Sequence, residues 1–412
     1  MPSINDILEV AELLKSKPVI CAEERCVAVR NRNATCRKCA DACVADCIEI
    51  AQNKLTIHEE ACVNCGVCTA VCPTEALVAL NPLGDEIVVE AVEAWHCRCA
   101  YGGAEEAPAA IIACARAAAQ KVADPDLYAT VPCLGRIDEA LLAETLCAEN
   151  GPTGVLLVDG NCKTCRYGAI SAPLDAAIAS TRALLEAFDV PATVERASEF
   201  PPDALLESDQ QRSSLRGRER RSLVGDAKRF ATSAAKATAE KAIADALNQK
   251  QGEPTLRERL KVNPHGALPT FPAERNMAVL DALCEVVGEP DILPDVALET
   301  RLFGDVTIDP ETCTGCGMCA MFCPTGALRF SDIAEHAHEG MRYLEFQAAD
   351  CTQCNVCADV CLHHSVTVLP LVQLHEVLDF EPHLIAVPQP KKTVDIFRMK
   401  KDRQKQGDKH GA

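Results

Sequence analysis

Apolar positions divide this chain into stretches of different character. Ile4, Ile7, Leu8, Ala11 and Leu14 fall on one helical face, so residues 1–17 predict an amphipathic helix. Two short apolar pieces, 18–21 and 25–30, have the length of strands. From 85 onwards apolar runs alternate with Ala- and Leu-rich helical patterns. Strands are predicted at 87–92, 127–131, 154–159 and 192–196, and helices at 104–122, 137–149 and 172–188. Such alternation predicts a small parallel α/β domain with right-handed crossovers.

Residues 201–262 are the most polar part. Arg212, Arg216, Arg218, Arg220, Arg221, Lys228 and Arg229 form a basic run. The helical stripe that follows, Leu223, Ala227, Phe230, Ala234 and Ala237, carries too few bulky residues for a membrane-surface helix. A solvated bridging helix is expected, with a partner-docking arm as the alternative. Pro264, Pro269 and Pro272 punctuate a linker, a helix is predicted at 273–287 and a strand at 306–309. The Lys- and Gln-rich tail from Pro390 is expected to be disordered.

Composition changes this picture in one respect: the chain of 412 residues holds 26 cysteines. Disulfide scaffolds are short, and residues 1–17 lack the pattern of an export signal, so the expectation is a soluble cytoplasmic protein whose cysteines hold metal. No apolar run is long enough to span a bilayer, so no transmembrane segment is expected. The net charge of −19 argues against nucleic acid as a partner.

The cysteines are ordered. Cys62, Cys65, Cys68 and Cys72, followed by Pro73, have the spacing of a bacterial-type iron–sulfur loop. Cys313, Cys316, Cys319 and Cys323, with Pro324, repeat it. A second quartet accompanies each: Cys36, Cys39, Cys43 and Cys47, with one extra residue between its second and third cysteines, and Cys351, Cys354, Cys357 and Cys361. Closely spaced cysteines wrap a loop around one cubane, and amide N–H groups reach the sulfurs. Zinc is the alternative, but its sites show two separated pairs.

Each pair of quartets resembles a two-cluster ferredoxin, in which the fourth cysteine of one run serves the other run's cluster. The resemblance implies four [4Fe–4S] sites: Cys36, Cys39, Cys43 and Cys72; Cys62, Cys65, Cys68 and Cys47; Cys313, Cys316, Cys319 and Cys361; Cys351, Cys354, Cys357 and Cys323. Cys21 and Cys26 are candidate replacements in the irregular first loop, whereas Cys114, Cys147 and Cys284 are expected in apolar cores. His336 and His338 are expected at the surface; His363 and His364 are candidates either for sulfur donors or for exposed residues.

In the α/β stretch, Cys97 and Cys99 follow the first predicted strand, Cys133 the second, and Cys162 and Cys165 the third. In a parallel sheet these are carboxyl-edge positions, where open α/β folds hold ligands. The runs His96-Cys97-Arg98-Cys99-Ala100-Tyr101, Val131-Pro132-Cys133-Leu134-Gly135-Arg136-Ile137-Asp138 and Cys162-Lys163-Thr164-Cys165-Arg166-Tyr167 resemble the iron–sulfur (delta) subunit of methyl-viologen-reducing hydrogenase. That resemblance covers about 86–200 and implies a [2Fe–2S] cluster on Cys99, Cys133, Cys162 and Cys165, with Cys97 as alternate. The family's first pair is usually Cys-x-x-Cys, here Cys-x-Cys, and its last pair is wider. Trp95 and Tyr101 are expected as apolar cover; His96 alone does not make a Rieske site, which needs two histidines.

The expected fold is α+β and multidomain. An N-terminal ferredoxin-like module (1–84) and a C-terminal one (273–389) flank the parallel α/β domain (85–200), with a helical linker (201–272) and a basic tail (390–412). No dinucleotide-binding or Walker A motif is present. The expected function is that of an electron-transfer subunit. Its partners would be redox subunits holding flavin, nickel–iron or molybdopterin, as in hydrogenase, heterodisulfide-reductase-like or formate dehydrogenase assemblies. The alternatives are a reductase using the middle site and a zinc-stabilised scaffold.

Overall fold

The computed structural model describes residues 18–102, 109–206, 260–262, 267–288, 295–331 and 340–390. The expected N-terminal helix, the basic run with its helix, His336, His338 and the tail beyond 390 lie outside the described residues.

The N-terminal part is closed by its ends: β1 (Val19–Cys21) pairs antiparallel with β4 (Leu77–Ala79). Residues 27–30, expected as strand, form instead one buried helical turn, α1 (Val27–Arg30). A second turn, α2 (Lys38–Asp41), carries Cys39. The hairpin of β2 (Ile48–Ala51) and β3 (Lys54–Ile57) turns through Gln52 and Asn53, both at positive φ. Such two-residue turns match the twist of paired strands. Then α3 (Val67–Ala70) starts from Gly66 at φ +73°. A Cβ on Gly66 would stand 2.8 Å from Cβ of Arg136, so glycine lets this cysteine loop touch the next domain.

That domain is a four-stranded parallel sheet in the order β6-β5-β7-β8, made of β5 (Ala109–Cys114), β6 (Ala129–Val131), β7 (Gly154–Val158) and β8 (Thr193–Ala197). The last three strands agree with the expected positions. The first does not: residues 87–92 belong to a long helix, α4 (Gly84–Gly102). Ile87, Ala91, Ala94 and Trp95 are buried while Val89 is exposed, so the 3.6-residue period overrides the β-branched run. The helix expected at 104–122 gives way to β5 and a short turn, α5 (Ala115–Ala118). Residues 110–113 are fully buried, as both faces of a central parallel strand require, and their alanines let helices approach closely. Helix α6 (Glu139–Leu146) starts under Asp138, whose carboxylate accepts the Leu141 N–H at 3.1 Å. Helix α7 (Ser171–Ala187) completes the cover.

Helix α8 (Glu274–Val287) packs against α6. Buried Asn276 on α8 donates to the carbonyl of Ala349 at 3.0 Å and those of Leu302 and Cys351 at 3.4 Å. Beyond it, β9 (Ala297–Glu299) pairs with β14 (Leu371–Gln373), and β10 (Asp305–Ile308) with β13 (Val366–Leu369). The second pair encloses two cysteine loops, as β1 and β4 do. Helical turns α9 (Met318–Phe322) and α10 (Val356–Asp359) carry the cysteines. Strands β11 (Leu328–Phe330), β12 (Met341–Phe346) and β15 (His383–Pro388) form the remaining sheet, and α11 (Leu374–Leu378) packs against β14 and the turn Ala348–Asp350.

One apolar core runs without a break from the parallel sheet into the C-terminal part, while the N-terminal part keeps a small core of its own. Polar ties join them. Arg25 binds Glu274 through both nitrogens, at 2.7 and 3.3 Å. Arg275 reaches the carbonyls of Thr69, Ala70 and Cys72 and pairs with Asp138 at 3.3 Å. Buried Glu139 accepts from Arg301 at 2.7 Å. Among the described residues, no helix is long and apolar enough to cross a membrane.

Candidate functional site

The cysteines gather into distinct sets. Cys313, Cys316, Cys319 and Cys361 line one cavity inside the C-terminal part. Backbone N–H groups point at their sulfurs, Gly315 to Cys313 and Ser365 to Cys361, each at 3.3 Å. Burial pushes the Cys319 thiol up to about 12, and Cys316, Cys313 and Cys361 add to it. His363 and His364 are exposed; near Cys361 it is the backbone N–H of His363 that acts, with those of Ser365 and Val366.

Cys351, Cys354 and Cys357 stand with Cys323. Burial raises the Cys357 thiol most, and the charges of Cys354, Cys323 and Cys351 act in the same direction. The Leu328 N–H lies 3.5 Å from the Cys323 sulfur. Thr325 stands 3.8 Å from that sulfur, as Thr74 stands 3.9 Å from Cys72 in the other repeat. Both groupings here are those implied by crossed fourth ligands.

The N-terminal part groups differently. Cys62, Cys65 and Cys68 line a cavity together with both Cys43 and Cys47, whose sulfurs are 3.4 Å apart. Cys43, expected with Cys36 and Cys39, therefore faces the other loop. The register explains why. Cys43 follows Cys39 by four residues, as Cys72 follows Cys68 and Cys361 follows Cys357. In each case the N–H four residues further on meets the sulfur: Cys47 to Cys43 at 3.4 Å, Ala76 to Cys72 at 3.3 Å, Ser365 to Cys361 at 3.3 Å. Cys43 thus occupies the fourth place of its loop, and the first place, three residues before Cys36, is held by Asn33.

Further thiols lie on that side. Burial pushes Cys39 up to about 12, with Cys72, Cys26 and Cys36 raising it further. Cys26, buried at the start of α1, is pushed up to about 11 by burial, with Cys72 and Cys36 among its neighbours. Cys21 lies behind, against Cys26, Cys72 and Cys39.

At the parallel sheet the expected set breaks up. Cys97 is exposed and Cys99 half-buried on helix α4, where Arg98 between them donates to the carbonyl of Ala109 at the start of β5, not at its carboxyl end. The cysteine at the end of the first strand is Cys114, buried and in register with Val131 of β6. Cys133 comes two residues after Val131, and Cys162 four residues after Val158. Burial pushes the Cys133 thiol up to about 12, and Cys65, Cys114 and Cys162 add to it. Cys162 is raised by burial and by Asp159, with Cys114 again a contributor, while Arg196 opposes. Arg196 is held by Asp159 at 2.8 Å. Cys165 follows one short turn later. Cys147 packs in the apolar core and Cys284 against it, as expected.

Donor chemistry fits iron–sulfur clusters: thiols in loops whose amides point at sulfur. Among the described residues, no three His, Cys, Asp or Glu side chains close around the position of a single metal ion. A cubane, being a larger body than one zinc ion, takes cysteines held farther apart.

Comparison with known proteins bears on both ends of the chain. Residues 312–365 match the family model of the 4Fe-4S dicluster domain, and residues 55–78 that of the 4Fe-4S binding domain. A ferredoxin of Streptomyces griseus is 42% identical over 52 residues, 13% of this chain and 45% of the ferredoxin. A ferredoxin of Mycolicibacterium smegmatis is 36% identical over 63 residues, 15% of this chain and 55% of its own length. A protein named Ferredoxin 7Fe from Hydrogenibacillus schlegelii is 38% identical over 39 residues, 10% of this chain and 50% of that one. The chain spans about half the length of the curated relatives it matches. It thus carries two ferredoxin-type 4Fe–4S domains, one towards each end, and these indicate electron transfer.

Proposed function

We propose that this chain is a multi-cluster electron-relay subunit with four [4Fe–4S] clusters and one [2Fe–2S] cluster. The ligand sets are Cys313, Cys316, Cys319 and Cys361; Cys351, Cys354, Cys357 and Cys323; Cys62, Cys65, Cys68 and Cys43; and Cys36, Cys39, Cys72 and Cys26. Cys47 lines the cavity of the third set as well, beside Cys43 and Cys62, and Cys21 lies against the fourth. The fifth set is Cys114, Cys133, Cys162 and Cys165 at the carboxyl edge of the parallel sheet. Cys97 and Cys99 lie outside it. The domains are 1–84, 85–200 with its likeness to the hydrogenase delta subunit, and 273–389, with α8 shared between the last two.

When bound, such clusters carry single electrons. The chain's own part is to hold them in order, exclude water and aim N–H groups at sulfur, which sets the potentials. The partners are redox subunits with flavin, nickel–iron or molybdopterin centres. The observation that carries this reading is the threefold recurrence of an amide four residues beyond the fourth cysteine, aimed at its sulfur.

Iron and acid-labile sulfide in the anaerobically purified chain test it. About 18 of each per chain are expected from four clusters of four irons and one of two. A colourless, zinc-loaded protein would refute it.

A further inference from the structure

The two ferredoxin-type domains lie far apart in the chain, yet their cysteine loops touch. Val27 of α1 packs on Val356 and Val360 at α10, with Cys36 and Cys354 against the same small core. The N–H of Thr35 donates to the Asp359 carboxylate at 2.7 Å and its hydroxyl at 3.0 Å. Lys38 reaches the carbonyl of Gln353 at 3.5 Å.

The other neighbours can be followed in both directions. Turns α9 and α10, which carry Cys319 and Cys357 of the two C-terminal sets, pack together. Turns α2 and α3 pack together in the same way, with Cys39 and Cys68 in one small core. At the far side Gly66, beside Cys65, lies against Arg136, and a Cβ on Gly135 would stand 3.4 Å from Val67, so this loop abuts the turn after Cys133. Set by set, each contact joins one cysteine group to the next.

Arg30 stands where the two domains meet. It is 6% exposed. Its terminal nitrogens donate to the carbonyls of Glu24 and Pro269, each at 2.8 Å, and Nε has no partner. The guanidinium lies 5.7 Å from the ring centre of Phe271, whose N–H donates to the carbonyl of Pro324, next to Cys323. Its hydrogen bonds among the described residues thus go to carbonyls, although a buried cation is costly unless paired. Cys323 and Cys354 are the groups whose negative charge favours it.

We infer that the five cysteine sets form one continuous line. It runs from Cys313, Cys316, Cys319 and Cys361 through the Cys354 set, across to the Cys36 set, then through the Cys62 set to the sheet edge, with Arg30 as the positive charge at the crossing. The inference rests on the reading of the cysteines as cluster ligands. Clusters held by these sets would pass one electron at a time, the giving cluster oxidised by one as its neighbour is reduced by one. A flavin or metal centre of a partner subunit supplies the electron at one end, and another takes it at the other. Both ends reach the surface, at exposed Cys316 and at half-buried Cys162 and Cys165. The interior sets include buried Cys39, Cys68, Cys72, Cys351 and Cys357. Arg30 favours the more negative, reduced state of the Cys323–Cys354 set and makes it the easier to reduce.

The test uses the full chain, purified anaerobically and assayed for iron first; a chain without iron would count against the cluster reading itself. In dithionite-reduced samples, low-temperature electron paramagnetic resonance reports magnetic coupling between neighbouring clusters. Removing an end set with Cys316→Ala should narrow one remaining signal, and removing an interior set with Cys354→Ala should narrow two. One narrowed signal in each variant would overturn the line, because two separate relays give that result. Arg30→Gln keeps every ligand. It should leave one cluster about tenfold less reduced at a fixed potential, equal to 59 mV for one electron, whereas Arg30→Lys keeps most of the effect. Unmoved midpoints in Arg30→Gln at full iron content would overturn the role of that charge.

Discussion

Cys43 and Cys47 offer a sharp pair of perturbations, since their sulfurs are 3.4 Å apart and both line the cavity of the Cys62 loop. Only Cys43 stands in the register of Cys72 and Cys361 and receives the amide four residues on. Cys43→Ala should therefore remove one whole cluster, taking iron from about 18 to about 14 per chain. Cys47 is 3% exposed and lies beside Cys43 and Cys62, outside that register. Its replacement by Ala deletes one buried sulfur, at a cost of about 1 kcal/mol, and should leave the iron content unchanged. Iron and sulfide analysis, with the integrated resonance signal of the reduced protein, reads both variants. Loss of about four irons in Cys47→Ala, with a full complement in Cys43→Ala, would refute the register argument.

Other outcomes follow from the same geometry. Cys114→Ala should lose about two irons and the [2Fe–2S] visible absorption, and Cys97→Ala neither; the reverse would return the site to helix α4. Arg275→Met leaves Asp138 and the carbonyls of Thr69, Ala70 and Cys72 without their cation. It should cost about 3–5 kcal/mol, read as a lower urea midpoint under anaerobic conditions. Burial, with Asp85 and Asp138 adding repulsion, pushes Glu144 up to about 7. Between the ordinary carboxylate range and pH 7 the folded chain keeps a proton that the unfolded chain has lost, so stability falls as pH rises through that window. Glu144→Gln should stabilise the protein by about 2 kcal/mol at pH 8, allowing for partial solvent access, and little at pH 5; an equal effect at both would contradict this.

Cysteine spacing is local, and local patterns are legible in a sequence. The Cys313 and Cys351 loops fall together as crossed quartets because each repeats one short pattern. The N-terminal regrouping was also within reach: counting back from Cys43, rather than forward from Cys36, exposes Asn33 as the missing first position. The proposed sheet-edge set lies beyond such local patterns. An Ala-rich segment ending in Cys114 reads as helix by propensity, and only burial on both faces makes 109–114 a central strand. Ile87, Val88, Val89 and Val92 mislead in the opposite sense, since packing of one helical face decides their state. The meeting of Thr35 with Asp359 joins residues 324 apart in the chain, and no short pattern encodes such a contact.

Electron uptake tests the central claim most directly. Coulometric reduction of the full chain, without partner or substrate, should take up about five electrons, one for each cluster. No uptake, or uptake only when a substrate is converted, would contradict the relay.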